Sequence, residues 1–175
     1  IVEREREGNV RITLLTYGTR GDVQPYVALG VGLQGAGHRV RLAAPVAFES
    51  LVTRHGLAFA PLPGDPTALS REMVARAGHN PWRMMRVMVD HTFPLARRVL
   101  GAAEEAARDA DAIIHTFLMV NAGHEIARRR EVPDLFAQIY PVFTPTAAFP
   151  ALMFPPLPLG RVYRRVTHRL VTASF

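Results

Sequence analysis

The feature that most limits what this chain can fold into is an alternation, begun at once, of short apolar runs, glycine turns and helix-compatible stretches. Val10 to Tyr17 reads VRITLLTY and ends at GTRGD, as a buried parallel strand does when it enters a loop. From Val23 to Gln34 the apolar positions suit a helix. Asp22 caps it, Pro25 is tolerated in a first turn whose amides lack partners, and Gly35 and Gly37 stop it. A second strand follows from His38 to Ala44 and breaks at Pro45. A short helix from Phe48 to His55 ends at Gly56, and Leu57 to Leu62 reads as a third strand. Strands joined in this way must run parallel through right-handed crossovers, so the expected fold class is α/β with a doubly wound parallel sheet. The strand order stays open.

The pattern continues beyond residue 62. Thr67 to Ala77 reads as helix, Asn80 and Pro81 as a cap and first-turn pair, and a long helical segment to Arg108 is expected to kink at Pro94. Ala112 to Phe117 supplies a fourth strand, Ala122 to Arg130 a helix and Leu135 to Ile139 a fifth strand. Leu135 to Gly160 holds no charged residue and no histidine, but six prolines deny it the hydrogen-bonded backbone of a membrane helix, so it reads as an apolar loop. Arg161 to Thr172 reads as a basic terminal helix. The expectation is one domain over residues 1–175, with a core from 8 to 160 and a final helix leading toward a further domain. Ile1 to Gly8 alternates Glu with Arg and does not read as a leader, and the missing initial methionine suggests a fragment.

Composition narrows the chemistry. At 49% hydrophobic residues the chain has the apolar mass for a core and is not a disordered tail. It has no cysteine, which removes disulfides and thiolate ligands or nucleophiles and suits a reducing compartment. The basic residues behind the net charge of +6 are all arginines, which reads first as genomic base composition and second as a choice of the better residue for bidentate phosphate contacts. Nucleic acid would demand similar charge, but no nucleic-acid motif is present. The seven histidines show no metal-ligand spacing beside a carboxylate, so no metal is expected.

Ligands of open α/β sheets bind beyond the carboxyl ends of the strands, which singles out Gly18, Thr19, Arg20, Gly21 and Asp22. The glycines permit close backbone approach, the helix start offers amide donors, and Arg20 offers a fork for phosphate. Asp22 does not suit an anion site. It reads either as a helix cap or as a base for a hydroxyl proton, and both are open. Gly30, Gly32 and Gly35 spell G-x-G-x-x-G, but they end a helix rather than open one, so they read as packing and a cap rather than a dinucleotide site.

The run GTRGDVQPYVALGVGLQGAGHRVRLAAP from Gly18 to Pro45 resembles the N-terminal domain of glycosyltransferase family 28. Phe48 with His55, Gly56 and Leu57, PLPGDP from Pro61 to Pro66, GHEIARRREVP from Gly123 to Pro133 and YPVFTPTAAFP from Tyr140 to Pro150 extend the likeness. It implies the Rossmann-like, acceptor-binding half of a two-domain GT-B enzyme, with a nucleotide-sugar domain of the same enzyme as partner. It implies inverting, metal-independent transfer of a hexosyl group to a lipid, sterol or other hydrophobic alcohol. No tightly bound cofactor is implied, and a UDP- or TDP-sugar serves as donor substrate. Asp22 would be the base, assisted by His124, and Gly18, Thr19, Arg20 and Gly21 would meet the donor's diphosphate. His115 and His124 read either in such site roles or as hydrogen-bonded structural histidines. Core packing is the default for clustered Met and Phe, yet the resemblance favours an acceptor pocket from Trp82, Met85, Phe93, His115, Phe117, Phe143 and Thr144. The expected location is cytoplasmic, with arginines at a membrane surface. Two rivals are a non-catalytic domain for hydrophobic ligands and a nicotinamide-dependent oxidoreductase.

Overall fold

Five strands form one parallel sheet: β1 (Arg11–Leu15), β2 (Arg39–Pro45), β3 (Ala58–Leu62), β4 (Ala112–His115) and β5 (Asp134–Phe136), in the order β3-β2-β1-β4-β5. They run parallel because the apolar runs are short and the helices that follow β1, β2 and β4 carry the chain back to start the next strand in the same direction. The computed structural model of the chain describes residues 9–68, 71, 75, 95–139, 144–151 and 154–173. The chain divides into two units that change over between Ala137 and Gln138.

In the first unit, successive strand residues point to opposite faces, and both faces are apolar. Leu14, Leu42 and Ile114 meet Val23 and Val27 of α1 (Arg20–Gly35) and Val52 of α2 (Glu49–Thr53). Leu15, Ala43 and Ile113 meet Val99 and Ala103 of α3, helical over residues 95–106, and Ile126 and Ala127 of α4 (Val120–Arg130). Each of the Val, Leu and Ile side chains among them, when fully buried, is worth roughly 1.5–3 kcal/mol. Gly30 lies where α1 crosses this core: a Cβ there would come 2.9 Å from Leu57 and 3.3 Å from Leu14. The glycine therefore serves close packing within α1.

At the opposite end of the sheet, Arg11 holds Asp111 through its backbone N–H and its guanidinium at 2.8–3.0 Å, which ties the start of β1 to the turn before β4. The second unit is built around α5 (Gly160–Ala173), which buries Thr167, His168 and Val171. The Thr167 hydroxyl accepts from Ala151 N–H at 2.9 Å and donates to the Arg164 carbonyl at 2.7 Å.

Several boundaries differ from the sequence reading. β1 and β4 stop before Tyr17 and Phe117, and Phe117 opens a single 3-10 turn (Phe117–Met119). β5 begins at Asp134 and ends at Phe136, short of Ile139. The helix expected from Thr67 to Ala77 is described only at residues 66–68, 71 and 75, and Asn80, Pro81 and Pro94 lie outside the described residues.

Candidate functional site

The sheet order identifies the crevice. From β1 the chain winds outward through β2 and β3, then returns to place β4 on the other side of β1, so the loops after β1 and β4 diverge at the switch point. Leu15 at the end of β1 faces Ala43 of β2 and His115 of β4, and the amides that follow complete the lattice, Thr16 N–H donating to the Ala43 carbonyl and Thr116 N–H to the Leu15 carbonyl.

The first loop is organised by Asp22. Thr19 is the N-cap of α1, and Asp22, three residues on, accepts from Thr19 N–H at 2.7 Å and from the Thr19 hydroxyl at 3.0 Å. This is the capping-box position rather than the cap itself, because the helix begins at Arg20. Both bonds fall on Oδ2, while Oδ1 takes none from the described residues. One carboxylate therefore holds the helix start with one oxygen and keeps a lone-pair set on the other. The Thr16 hydroxyl donates to the Asp22 carbonyl at 3.0 Å, which fixes the residue from its backbone side as well.

Gly18 makes this placement possible. Its φ of +137° suits glycine, and a Cβ there would lie 2.7 Å from Asp22 Cγ. Thr19, Arg20 and Gly21 are exposed. Arg20 spends its Nε on Gln24 at 3.1 Å and makes no ion pair among the described residues. A guanidinium, the first amides of a 16-residue helix and a half-buried carboxylate thus share one loop. Chemically, it can hold an anion and accept a proton side by side.

In the second loop the geometry of His115 fits the structural alternative rather than the acceptor-facing one. His115, expected to face an acceptor, is 1% exposed. Strand alternation puts it on the Ile113 side of the sheet, where α4 passes over it so closely that a Cβ on Gly123 would come 2.5 Å from its Cγ. Its ring stacks on Phe136 with centroids 5.5 Å apart, and Nε2 lies 2.9 Å from Asp134 Oδ2. His124, placed as an assistant to Asp22, is exposed on α4 and sets Nδ1 3.2 Å from the same Asp134 oxygen. A carboxylate only accepts, so both imidazoles donate, and Nε2 of His124 is left available for proton exchange.

Asp134 was not singled out from the sequence, since its role depends on the β4–β5 register. Thr116 was also missed: it is buried where β4 ends, and its hydroxyl has no partner among the described residues. A polar residue closing the apolar run AIIHT was its only signal. Phe117 is half-buried in the following turn, and Thr144 is exposed in the second unit. Trp82, Met85, Phe93 and Phe143 lie outside the described residues. Among the described residues no three His, Asp or Glu side chains gather as metal ligands.

The hydrogen bond from His115, reinforced by His124 and opposed by partial burial, holds the Asp134 carboxyl below the usual carboxylate range. A depressed pKa gives stability that is present above the unfolded value near ~3.9 and is lost as pH falls through the folded value. Asp134→Asn keeps an acceptor oxygen but removes the charge. The expected loss is the difference between a charged and a neutral hydrogen bond, roughly 1 kcal/mol at pH 7. Urea midpoints measured from pH 7 down to pH 3 are expected to converge for the two proteins in acid.

A doubly wound parallel sheet with a carboxylate and an arginine in the loop at its switch point defines an α/β domain of the Rossmann-like class. Comparison with known proteins makes this specific. The model of the glycosyltransferase family 28 N-terminal domain matches residues 12–119, and the chain belongs to that family. Sterol 3-beta-glucosyltransferase of Pichia angusta is 36% identical over 159 residues, covering 90% of this chain and 13% of that protein. The Aspergillus terreus enzyme of the same name is 35% identical over 161 residues, covering 91% and 11%. The chain thus spans about an eighth of the curated relatives it matches. Among solved structures, the calicheamicin glycosyltransferase superposes with a TM-score of 0.56 at 20% identity, over 86% of this chain and 34% of that one. A Streptomyces sp. SF2575 glycosyltransferase complexed with thymidine diphosphate gives 0.56 at 22%, over 81% and 40%. The fold is the Rossmann-like N-terminal half of a GT-B glycosyltransferase.

Proposed function

We propose that this chain is the acceptor-binding half of an inverting glycosyltransferase that moves a hexosyl group from a nucleoside-diphosphate sugar to the hydroxyl of a sterol, lipid or other hydrophobic alcohol. The observation that carries the reading is the Asp22 carboxylate, fixed by one oxygen and open at the other, in the first crevice loop of a family 28 domain. The acceptor oxygen attacks the anomeric carbon as its proton passes to Asp22. The bond from that carbon to the diphosphate breaks, and its electron pair leaves with the nucleoside diphosphate. Arg20 and the amides at the start of α1 stabilise the charge that grows there. A second domain of the same enzyme holds the nucleotide and sugar.

The similarity to sterol glucosyltransferases over 90% of the chain supports a hydrophobic acceptor. A chain without cysteine suits a reducing compartment, and the location proposed is the cytoplasm, where the enzyme meets its acceptor at a membrane surface. The complete enzyme, incubated with UDP- and TDP-hexoses and a panel of sterol, lipid and polyketide alcohols, is expected to give a glycoside of inverted anomeric configuration by NMR. A retained configuration, or no transfer from any donor, would overturn the reading.

A further inference from the structure

The most exposed apolar surface among the described residues lies on the second unit. Leu159 (61% exposed), Val162 (75%), Val166 (43%) and Leu170 (54%) recur at three- and four-residue spacing along and just before α5. At 100° per residue, Val162, Val166 and Leu170 fall within an arc of about 80°, roughly opposite the side that buries Thr167, His168 and Val171. The neighbouring arc is filled by Arg161, Arg165 and Arg169, again four residues apart. These arginines have no ion pair among the described residues, and residues 135–175 contain no Asp or Glu.

Whatever covers this helix must receive an apolar ridge and a parallel row of three guanidinium groups that pair with no carboxylate among the described residues. We infer that α5 lies in the surface of a membrane rich in anionic lipid, with Val162, Val166 and Leu170 entering the acyl boundary and Arg161, Arg165 and Arg169 held at the headgroup phosphates and carboxylates. The adjacency of the arcs carries this choice: in one plane a bilayer interface offers an apolar layer and, just above it, fixed negative charge. The helix is about 21 Å long and carries its charge along its length, so it rests on the membrane rather than crossing it. The inference rests on the proposed function, since a hydrophobic acceptor reaches such an enzyme from a bilayer.

The test uses the complete protein and sedimentation with sterol-free vesicles of phosphatidylcholine, with and without phosphatidylserine, no sugar donor being present. The wild type is expected to bind the serine-containing vesicles and to release them as salt rises. Each arginine is worth roughly fivefold in partition at low salt, so the Arg161→Gln, Arg165→Gln, Arg169→Gln triple variant should bind on the order of a hundredfold more weakly. Val162→Ser with Val166→Ser should bind at least tenfold more weakly with an unchanged Tm. Equal binding to both vesicle types would overturn the inference, as would triple-variant binding equal to wild type. A lowered Tm with unaltered vesicle binding in the valine variant would also overturn it and assign the face to protein, whether this polypeptide or a second copy. Transfer to a detergent-dispersed alcohol, assayed separately, reports on the proposed reaction alone.

Discussion

Asp22→Asn in the complete enzyme is expected to lower kcat by about 10²–10⁴ while leaving the acceptor KM within a few-fold of wild type. That range is what a positioned carboxylate contributes when it takes a hydroxyl proton in the transition state. The amide keeps an oxygen for Thr19 N–H at the place now held by Oδ2, so the start of α1 survives. The variant forfeits only the interaction of a carboxylate with the helix N-terminus, about 0.3–1 kcal/mol. Activity and stability therefore part company: a large fall in kcat with a nearly unchanged Tm supports the proton-accepting role, and a Tm loss with near-normal kcat reduces Asp22 to the acid of the capping box. In that second outcome the base lies elsewhere, and the imidazole of His124, oriented by Asp134, is the next group to remove.

Much of the first unit was legible because its signals are local. Apolar runs bounded by glycine and proline gave β1, β2 and β3 to within two residues, and the parallel arrangement followed from the helices between them. The strand order was not legible, since nothing in the residues of β4 states that it joins β1 rather than β3. The same distinction separates the two loops of the site. Gly18 to Asp22 are neighbours in sequence, so their shared role could be read directly, and only the register was misjudged, with Thr19 rather than Asp22 as the N-cap. His115, His124 and Asp134 meet through strand pairing and a helix crossing. His115 was expected at the crevice because it ends a strand, but alternation from Ile113 already assigned it to the face that α4 covers. The glycine at position 123, one residue before His124, was the unread sign that something bulky lies beneath that helix.

Gly18→Ala is expected to match the activity loss of Asp22→Asn without touching the carboxylate chemically. At a φ of +137° an alanine strains the backbone by roughly 1–3 kcal/mol. Its methyl would also occupy the space of the Asp22 side chain, lying 2.9 Å from Cβ and nearer to the carboxyl. The flexible part of that contact is Asp22, so the carboxylate swings away and loses both its hold on Thr19 and its aim into the crevice. Because the two substitutions disable one group, their effects on kcat should not add: the double variant is expected within a few-fold of Asp22→Asn alone. Gly32→Ala provides the contrast. It lies in the same helix with open space around its Cβ position, and it is expected to raise stability by about 0.5–1 kcal/mol with activity unchanged. Additive losses in the double variant would mean that Gly18 serves the ligand through its own backbone, and the loop would then be an anion cradle first and a seat for Asp22 second.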